Sequence, residues 1–233
     1  MTHDHRDHHA PLCAVCRVQS CEQEPPVTHP SNCPMVNQVE VLEEAARTYR
    51  DDPLTRRIVA ESARTEAAGY CELTRVEEIM DFARRMGWTR LGIAHCIALA
   101  HEAKSARDIF VAGGFEVVTV CCKVGSIPKE SLGLTDAEKV HPGGFEATCN
   151  PVAQAAVLAD AGAQLNVVIG LCVGHDSMFF MHSKVPVTVL VVKDRVMGHN
   201  PVAVLYTSHS YYRRLTKPAV APAAPAAPAA PPP

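Results

Sequence analysis

From residue 88 onward the apolar positions fall in short continuous runs rather than at helical spacing. "RLGIAHC" (90–96), "FEVVTVCC" (115–122), "LNVVIGLC" (165–172) and "PVTVLVVKD" (186–194) have strand length and are bounded by glycine, proline or polar residues. Helix-length stretches separate them. "LAHEAKSARDIFVAGG" (99–114) ends in paired glycines, and "NPVAQAAVLADAGA" offers Asn150 as a cap with Pro151 in its first turn. A last helix is expected from Asn200-Pro201 through "VAVLYTSHSYYRRL". Strands that are apolar on both faces, alternating with helices, predict an α/β domain over 88–215. Its core would be a mostly parallel, Rossmann-like sheet with flanking helices.

Residues 36–87 have the other period. "NQVEVLEEAARTYR" places apolar residues at helical spacing, and Asp51-Asp52-Pro53 marks a break. "PLTRRIVAESARTEAAGY" resumes the pattern, and "TRVEEIMDFARRMG" opens with a capping box, Thr74 and Glu77, and closes at Gly87. A helical segment therefore precedes the sheet. Before it, residues 12–35 are rich in cysteine and proline and poor in large apolar side chains. Residues 1–11 form a polar leader with His3, His5, His8 and His9, and 216–233 are a Pro/Ala low-complexity tail favouring polyproline II. Of 233 residues, roughly 200 remain for one well-buried domain with an appendage.

Composition removes several functions. A formal net charge of −3 without a basic run argues against nucleic acid, and Arg213-Arg214 reads as a solvated helix face. No apolar run reaches the roughly 18 residues of a membrane span. The first residues lack the apolar core of a secretory signal, so the expectation is a cytoplasmic protein whose ten cysteines stay reduced. The paired glycines of "VAGGFE" and "HPGGFE" lack the phosphate-binding fingerprint, and no nucleotide is expected.

The cysteines carry the chemistry. Cys13, Cys16, Cys21 and Cys33 stand within a short segment that packing alone cannot fold. Four thiolates with a two-residue first spacing suit zinc, and they equally suit an iron–sulfur cluster, with Cys33-Pro34 matching the Cys-Pro ending of bacterial ferredoxin motifs. A second group follows the sheet: Cys96, Cys121, Cys122 and Cys172 near the ends of predicted strands, and Cys149 just before a helix cap. In a parallel sheet those ends share one edge, where ligands bind and helix N-termini favour thiolates. Alternation sends Cys121 and Cys122 to opposite faces, so one of the two is expected in the cluster. "IGLCVGHDSMFF" (169–180) adds His175 beside Cys172, in a strand expected to break at Gly174 into a helix capped by Asp176 or Ser177. Lys123, Lys193, Asp194, Arg195, His199 and Asn200 fall on the same rim, where surface or capping roles compete with a functional one. Cys71, between helices, reads as structural.

"CAVCRVQSC…NCPM", "GFEVVTVCCKVGSIPKESLGL", "FEATCNPVAQA", "GLCVGHDSMFF" and "PVTVLVVKDRVMGHNPVAVLYTSHSYYRRL" together resemble a bacterial and archaeal family of unknown function, over about residues 12–215. Its members are usually labelled simply metal-binding protein. The resemblance implies metal binding through Cys13, Cys16, Cys21 and Cys33, then Cys96, Cys121, Cys122, Cys149, Cys172 and His175, and names no reaction.

The leading expectation is a metalloprotein with a four-cysteine arm and a second cysteine cluster at the sheet's carboxyl edge. Zinc and iron–sulfur both stand open as cofactors, and the rim leaves room for a small-molecule ligand. A second expectation is a thiol-dependent enzyme for sulfur transfer or redox work, with Cys172 or Cys122 as nucleophile and His175 as base. A third is an interaction module whose metals are only structural.

Overall fold

The computed structural model describes residues 10–218; the leader histidines His3, His5, His8 and His9 and nearly all of the Pro/Ala tail lie outside the described residues. The chain divides into two compact units, through Ala68 and from Gly69.

In the first unit, single 3-10 turns at Cys13–Val15 and Ser20–Glu22 precede α1 (Pro34–Asn37), α2 (Val39–Asp51) and α3 (Pro53–Gly69). The break between α2 and α3 lies at the expected place. Asp52 accepts the Thr55 N–H at 2.6 Å and Pro53 opens the new helix, so one acidic-proline pair ends one element and caps the next. No apolar side chain between residues 10 and 68 is buried.

The second unit begins with α4 (Arg75–Arg85), whose capping box is made as the sequence predicts, with Glu77 accepting the Thr74 N–H at 2.8 Å. α4 buries Ile79 and Ala83 in the core. There follow β1 (Arg90–His95), α5 (Ala100–Ala112), β2 (Glu116–Cys121), α6 (Pro151–Asp160), β3 (Leu165–Ile169), α7 (His175–His182), β4 (Val187–Val191) and α8 (Val202–Tyr206). The four strands form one all-parallel sheet in the order β2-β1-β3-β4. Every residue of the inner strand β3 is buried, which explains its unbroken apolar run. α5 and α6 pack against β1 and β2, and α7 packs on α6. Phe110, Phe179, Leu91, Ile93, Leu99, Leu158 and Leu165 fill the core. Gly92 is required at its place: a Cβ there would stand 2.3 Å from Asn166 Oδ1.

Three local expectations need correction. The last helix spans only Val202–Tyr206. Beyond it, Thr207, Ser208 and Ser210 turn their hydroxyls onto the carbonyls of Ala203, Leu205 and Thr207, which competes with further helical bonding. α7 starts at His175 with Gly174 (φ 86) as its cap, so Asp176 and Ser177 lie within its first turn. Finally, β3 ends at Ile169, which leaves Cys172 in the turn beyond the strand.

Candidate functional site

With the order β2-β1-β3-β4, the chain leaves β1 toward one side of the sheet and β3 toward the other. The connections after β1 and β3 therefore diverge and open a crevice at their carboxyl ends, the usual ligand position in such sheets. Backbone bonds then place the cysteines. The Cys96 N–H donates to Ile169 O at 3.1 Å, the Cys122 N–H to His95 O at 2.8 Å, and the Asn150 N–H to Cys122 O at 2.8 Å. Each bond ties a residue at or beside one cysteine to the end of a neighbouring segment. On the far side Gly170 (φ 63) donates to Val191 O at 2.8 Å, and a Cβ there would meet Leu99 at 2.5 Å. The chain turns out of β3 at this glycine and delivers Leu171 and Cys172 to the crevice.

The result is one small pocket lined by Cys96, Cys122, Cys149, Leu171, Cys172 and His175. Cys96 and Cys122 are buried, while Cys149 and Cys172 are half-buried. Cys121, at the end of β2, does not line it, as side-chain alternation requires of one member of the pair.

Cys122 lines the pocket together with Cys96 and Cys149, and each of the three thiols shifts the titration of its neighbours. Cys149, then Cys96, and burial push the Cys122 thiol up. The other two move the other way. Cys96 is held below the usual thiol range first by Cys122, then by the Lys193 ammonium and the Ala98 N–H. Cys149 is lowered first by Cys122, then by the Lys123 ammonium nearby. The Ile97 N–H adds a contact to Cys122 Sγ at 3.4 Å.

Two cations reach in from the segment after β4. Lys193 is only 9% exposed, and its Nζ lies 3.0 Å from Cys96 Sγ. A buried ammonium demands an anionic partner, and the sulfur of Cys96 supplies it. Arg195 Nη2 lies 3.3 Å from Cys172 Sγ, and that contact raises the guanidinium above its ordinary value. Sequence placed both on the rim, but the alternation of Lys193 and Arg195 two residues apart was the only sign that both turn inward. Lys123 instead donates to Ala147 O at 2.5 Å and fixes the approach to Cys149.

His175 is the unfinished member. Its Nδ1 is buried and has no hydrogen-bond partner, while its backbone N–H donates to Cys172 O at 2.9 Å. The side-chain partner of Cys172 is Arg195 rather than His175, so the Cys172/His175 pair is not a formed nucleophile and base. Gln154, which no sequence motif marks, is fully buried on α6. Its Nε2 donates to Val120 O at 2.7 Å and His95 O at 3.2 Å, locking the ends of β2 and β1 just before Cys121 and Cys96. The signal was a lone amide on the apolar face of "PVAQAAVLAD", at the turn that also buries Pro151, Ala155 and Leu158.

In the arm, Cys13 and Cys21 are exposed, Cys16 and Cys33 half-buried, and Cys33 caps α1. Among the described residues no three His, Cys, Asp or Glu side chains stand in ready metal-ligand geometry, in the arm or in the pocket. All ten cysteines are free thiols, and no described helix is long and apolar enough to cross a membrane.

Residues 33–190 match the family described as "Protein of unknown function (DUF1847)". That span holds Cys33, the pocket's four cysteines Cys96, Cys122, Cys149 and Cys172, its His175, and Gln154, while Cys13, Cys16, Cys21, Lys193 and Arg195 lie outside it. "Uncharacterized protein MJ0455" of Methanocaldococcus jannaschii is 43% identical over 159 residues, covering 68% of this chain and 80% of that protein. No solved structure matches the chain. With more than half its length matched and a relative this similar, the chain belongs to the DUF1847 family of proteins of unknown function.

Proposed function

We propose that this protein binds metal through thiolates, at the strand-end pocket and in the N-terminal arm. The observation that carries the pocket site is that Cys96, Cys122, Cys149 and Cys172 line one pocket together with His175, whose Nδ1 is buried and partnerless. Three sulfurs and an imidazole nitrogen are a soft donor set of the kind zinc and iron accept. The orphaned nitrogen is a cost unless something occupies it. A metal ion or iron–sulfur cluster would be held by Cys96, Cys122 and Cys149, with His175 or Cys172 completing the set. Thiolates brought together repel one another, and a cation removes that repulsion while deprotonating Cys122 outright. Lys193 and Arg195 would then offset the excess negative charge of the donors. A small molecule would approach from the side of Cys172 and Arg195, the exposed part of the rim.

The arm is supported by a different fact. It buries no apolar side chain, so Cys13, Cys16, Cys21 and Cys33 are its best means of folding, through zinc or an iron–sulfur cluster. Cys121 stays outside this ligand set because it does not line the pocket. Ten free thiols fit work in a reducing compartment such as the cytoplasm.

The test is metal and acid-labile sulfide analysis of protein purified with and without air. Brown protein containing labile sulfide identifies an iron–sulfur cluster, and colourless protein containing zinc identifies a zinc site. Cys122→Ser is expected to lose the pocket's share of the metal and keep the arm's share. Unchanged stoichiometry in that variant, or wild-type protein free of metal after anaerobic purification, would defeat the proposal.

A further inference from the structure

We infer that the rim of the pocket binds the oxyanion group of a small molecule, a carboxylate or a phosphate, between the turn 171–174 and the guanidinium of Arg195. The inference rests on the strand-end pocket being the functional site, and it names the class of ligand that meets the pocket there. It does not depend on which metal the sulfurs hold.

The turn supplies donors. Among the described residues the backbone N–H groups of Leu171, Cys172, Val173 and Gly174 have no hydrogen-bond acceptor. Val173 and Gly174 are open to solvent, but Leu171 is only 3% exposed and lines the pocket. A buried N–H without an acceptor is costly, so an acceptor is expected at that place. A metal cation cannot serve, because it has no lone pair to offer an N–H; an anionic oxygen has. The turn is bracketed by Gly170 (φ 63) and Gly174 (φ 86), and successive N–H groups in such a turn form an anion-binding concavity. These donors are distinct from the first turn of α7, which is already engaged. There the N–H groups of His175 and Asp176 go to Cys172 O at 2.9 and 3.1 Å, and that of Ser177 goes to Asp176 Oδ1 at 2.8 Å. The last bond also turns the Asp176 carboxylate, the acidic side chain of this segment, onto Ser177.

Arg195 supplies the charge. Its Nη2 lies 3.3 Å from Sγ of Cys172, a residue of the donor turn, and among the described residues the other N–H groups of its guanidinium have no partner. The loop that carries it is closed on itself. Asp194 Oδ1 accepts the Val196 and Met197 N–H groups at 3.0 and 2.9 Å. The His199 N–H donates to Asp194 O at 2.8 Å, and the Asp194 N–H donates to His199 Nδ1 at 3.1 Å. From outside the loop, Tyr212 donates its hydroxyl to Met197 Sδ at 3.0 Å. An arginine on a backbone fixed in this way loses less freedom on binding, and its planar fork matches the edge of a carboxylate or phosphate. Lys193 is turned onto Cys96, so it adds positive potential to the rim without competing for the ligand.

Quenched-flow amide exchange, read by mass spectrometry on the full-length protein as purified, tests the site with two probes, inorganic phosphate and acetate. The expected result is a saturable slowing of exchange confined to residues 171–174 with at least one of them. Slowing by phosphate alone identifies a phosphate ester as the ligand class, by acetate alone a carboxylate, and by both the shared oxyanion chemistry. Arg195→Gln is expected to raise the half-saturating concentration about tenfold, the scale of one lost charge-assisted bond. Arg213→Gln, a change at an exposed guanidinium bonded to His209 O, is expected to leave it unaltered. Exchange that neither anion slows, slowing that Arg195→Gln does not weaken, or slowing that Arg213→Gln weakens as much would overturn the inference. Metal content of the same wild-type sample is read separately. Metal without anion protection sinks only the anion site, and protection without metal sinks only the metal reading.

Discussion

At the scale of single residues, the pocket depends on polar side chains buried for geometry rather than chemistry. Gln154 is the clearest: its two donor bonds, to Val120 O and His95 O, hold the two strand ends that carry Cys96 and Cys122 into the pocket. Gln154→Met keeps the volume and removes both bonds. The expected loss is about 1–3 kcal/mol, the cost of leaving buried carbonyls short of a donor. His95 O retains the Cys122 N–H, which favours the lower end. Urea melts of the variant measure it, and an unchanged midpoint would show that Gln154 only fills space. Such residues are hard to read in sequence. Cys96, Cys122 and Cys149 were legible because each falls at a handover between elements, which local pattern reveals. Lys193 was not, because a lysine after a strand looks the same whether it faces water or a sulfur 97 residues away in sequence. Its burial is a consequence of topology, and topology is set by contacts far apart along the chain.

Among elements, strands were more legible than the segments between them. β3 is buried along its whole length and so reads as a continuous apolar run, whereas α8 is cut short by hydroxyls that helical spacing does not weigh. The connection from Lys123 to Cys149 is the largest piece that pattern could describe only as a loop. It is held by ion pairs. Lys129 and Glu146 meet at 2.6 Å with both side chains only 16% exposed, and Lys139 lies between Glu130 and Asp136 with its Nζ also donating to Gly144 O. A Pro128–Ala147 bridge closes the base of the loop, two residues before Cys149. Glu146 is lowered from its usual 4.5 to about 2, first by Lys129 and then by the N–H groups of His141 and Val140. Its folded value lies below the unfolded one. Its contribution to stability is therefore complete above 4.5 and is lost as pH falls from there through about 2. Amide exchange at Val140 and His141, which donate to Glu146 at 2.9 and 3.2 Å, should lose protection over that interval, after correction for intrinsic rates. Protection that stays constant down to about pH 2 would mean that the carboxylate does not hold the loop.

For the whole molecule, the asymmetry between the two units is the strongest physical fact. Every buried apolar side chain among the described residues lies between Ile79 and Leu171 or is Phe179, all in the second unit. That unit has a parallel sheet, a core and helices on which to close it. Residues 10–68 have helices whose apolar side chains remain exposed, including Val39, Val41, Leu42, Tyr49 and Leu54. Hydrophobic burial is the main term that offsets chain entropy, so a segment without it holds its structure only through some other term. A metal on Cys13, Cys16, Cys21 and Cys33 is one such term, because binding free energy at thiolates becomes folding free energy. The two units should then part in their response to a chelator. Limited proteolysis of the full-length protein before and after metal removal is the measurement. The expected outcome is new cleavage within residues 12–68 after chelation, while a fragment beginning near Gly69 resists digestion at a rate little changed. Exchange equilibrium explains why the readout is sensitive: when opening is fast relative to cleavage, cutting follows the population of the open form, which a lost metal raises steeply. An arm cut equally fast with and without chelator would mean that the four cysteines contribute nothing to its order. A sheet unit that became labile together with the arm would mean that the pocket metal, not the apolar core, holds the second unit together.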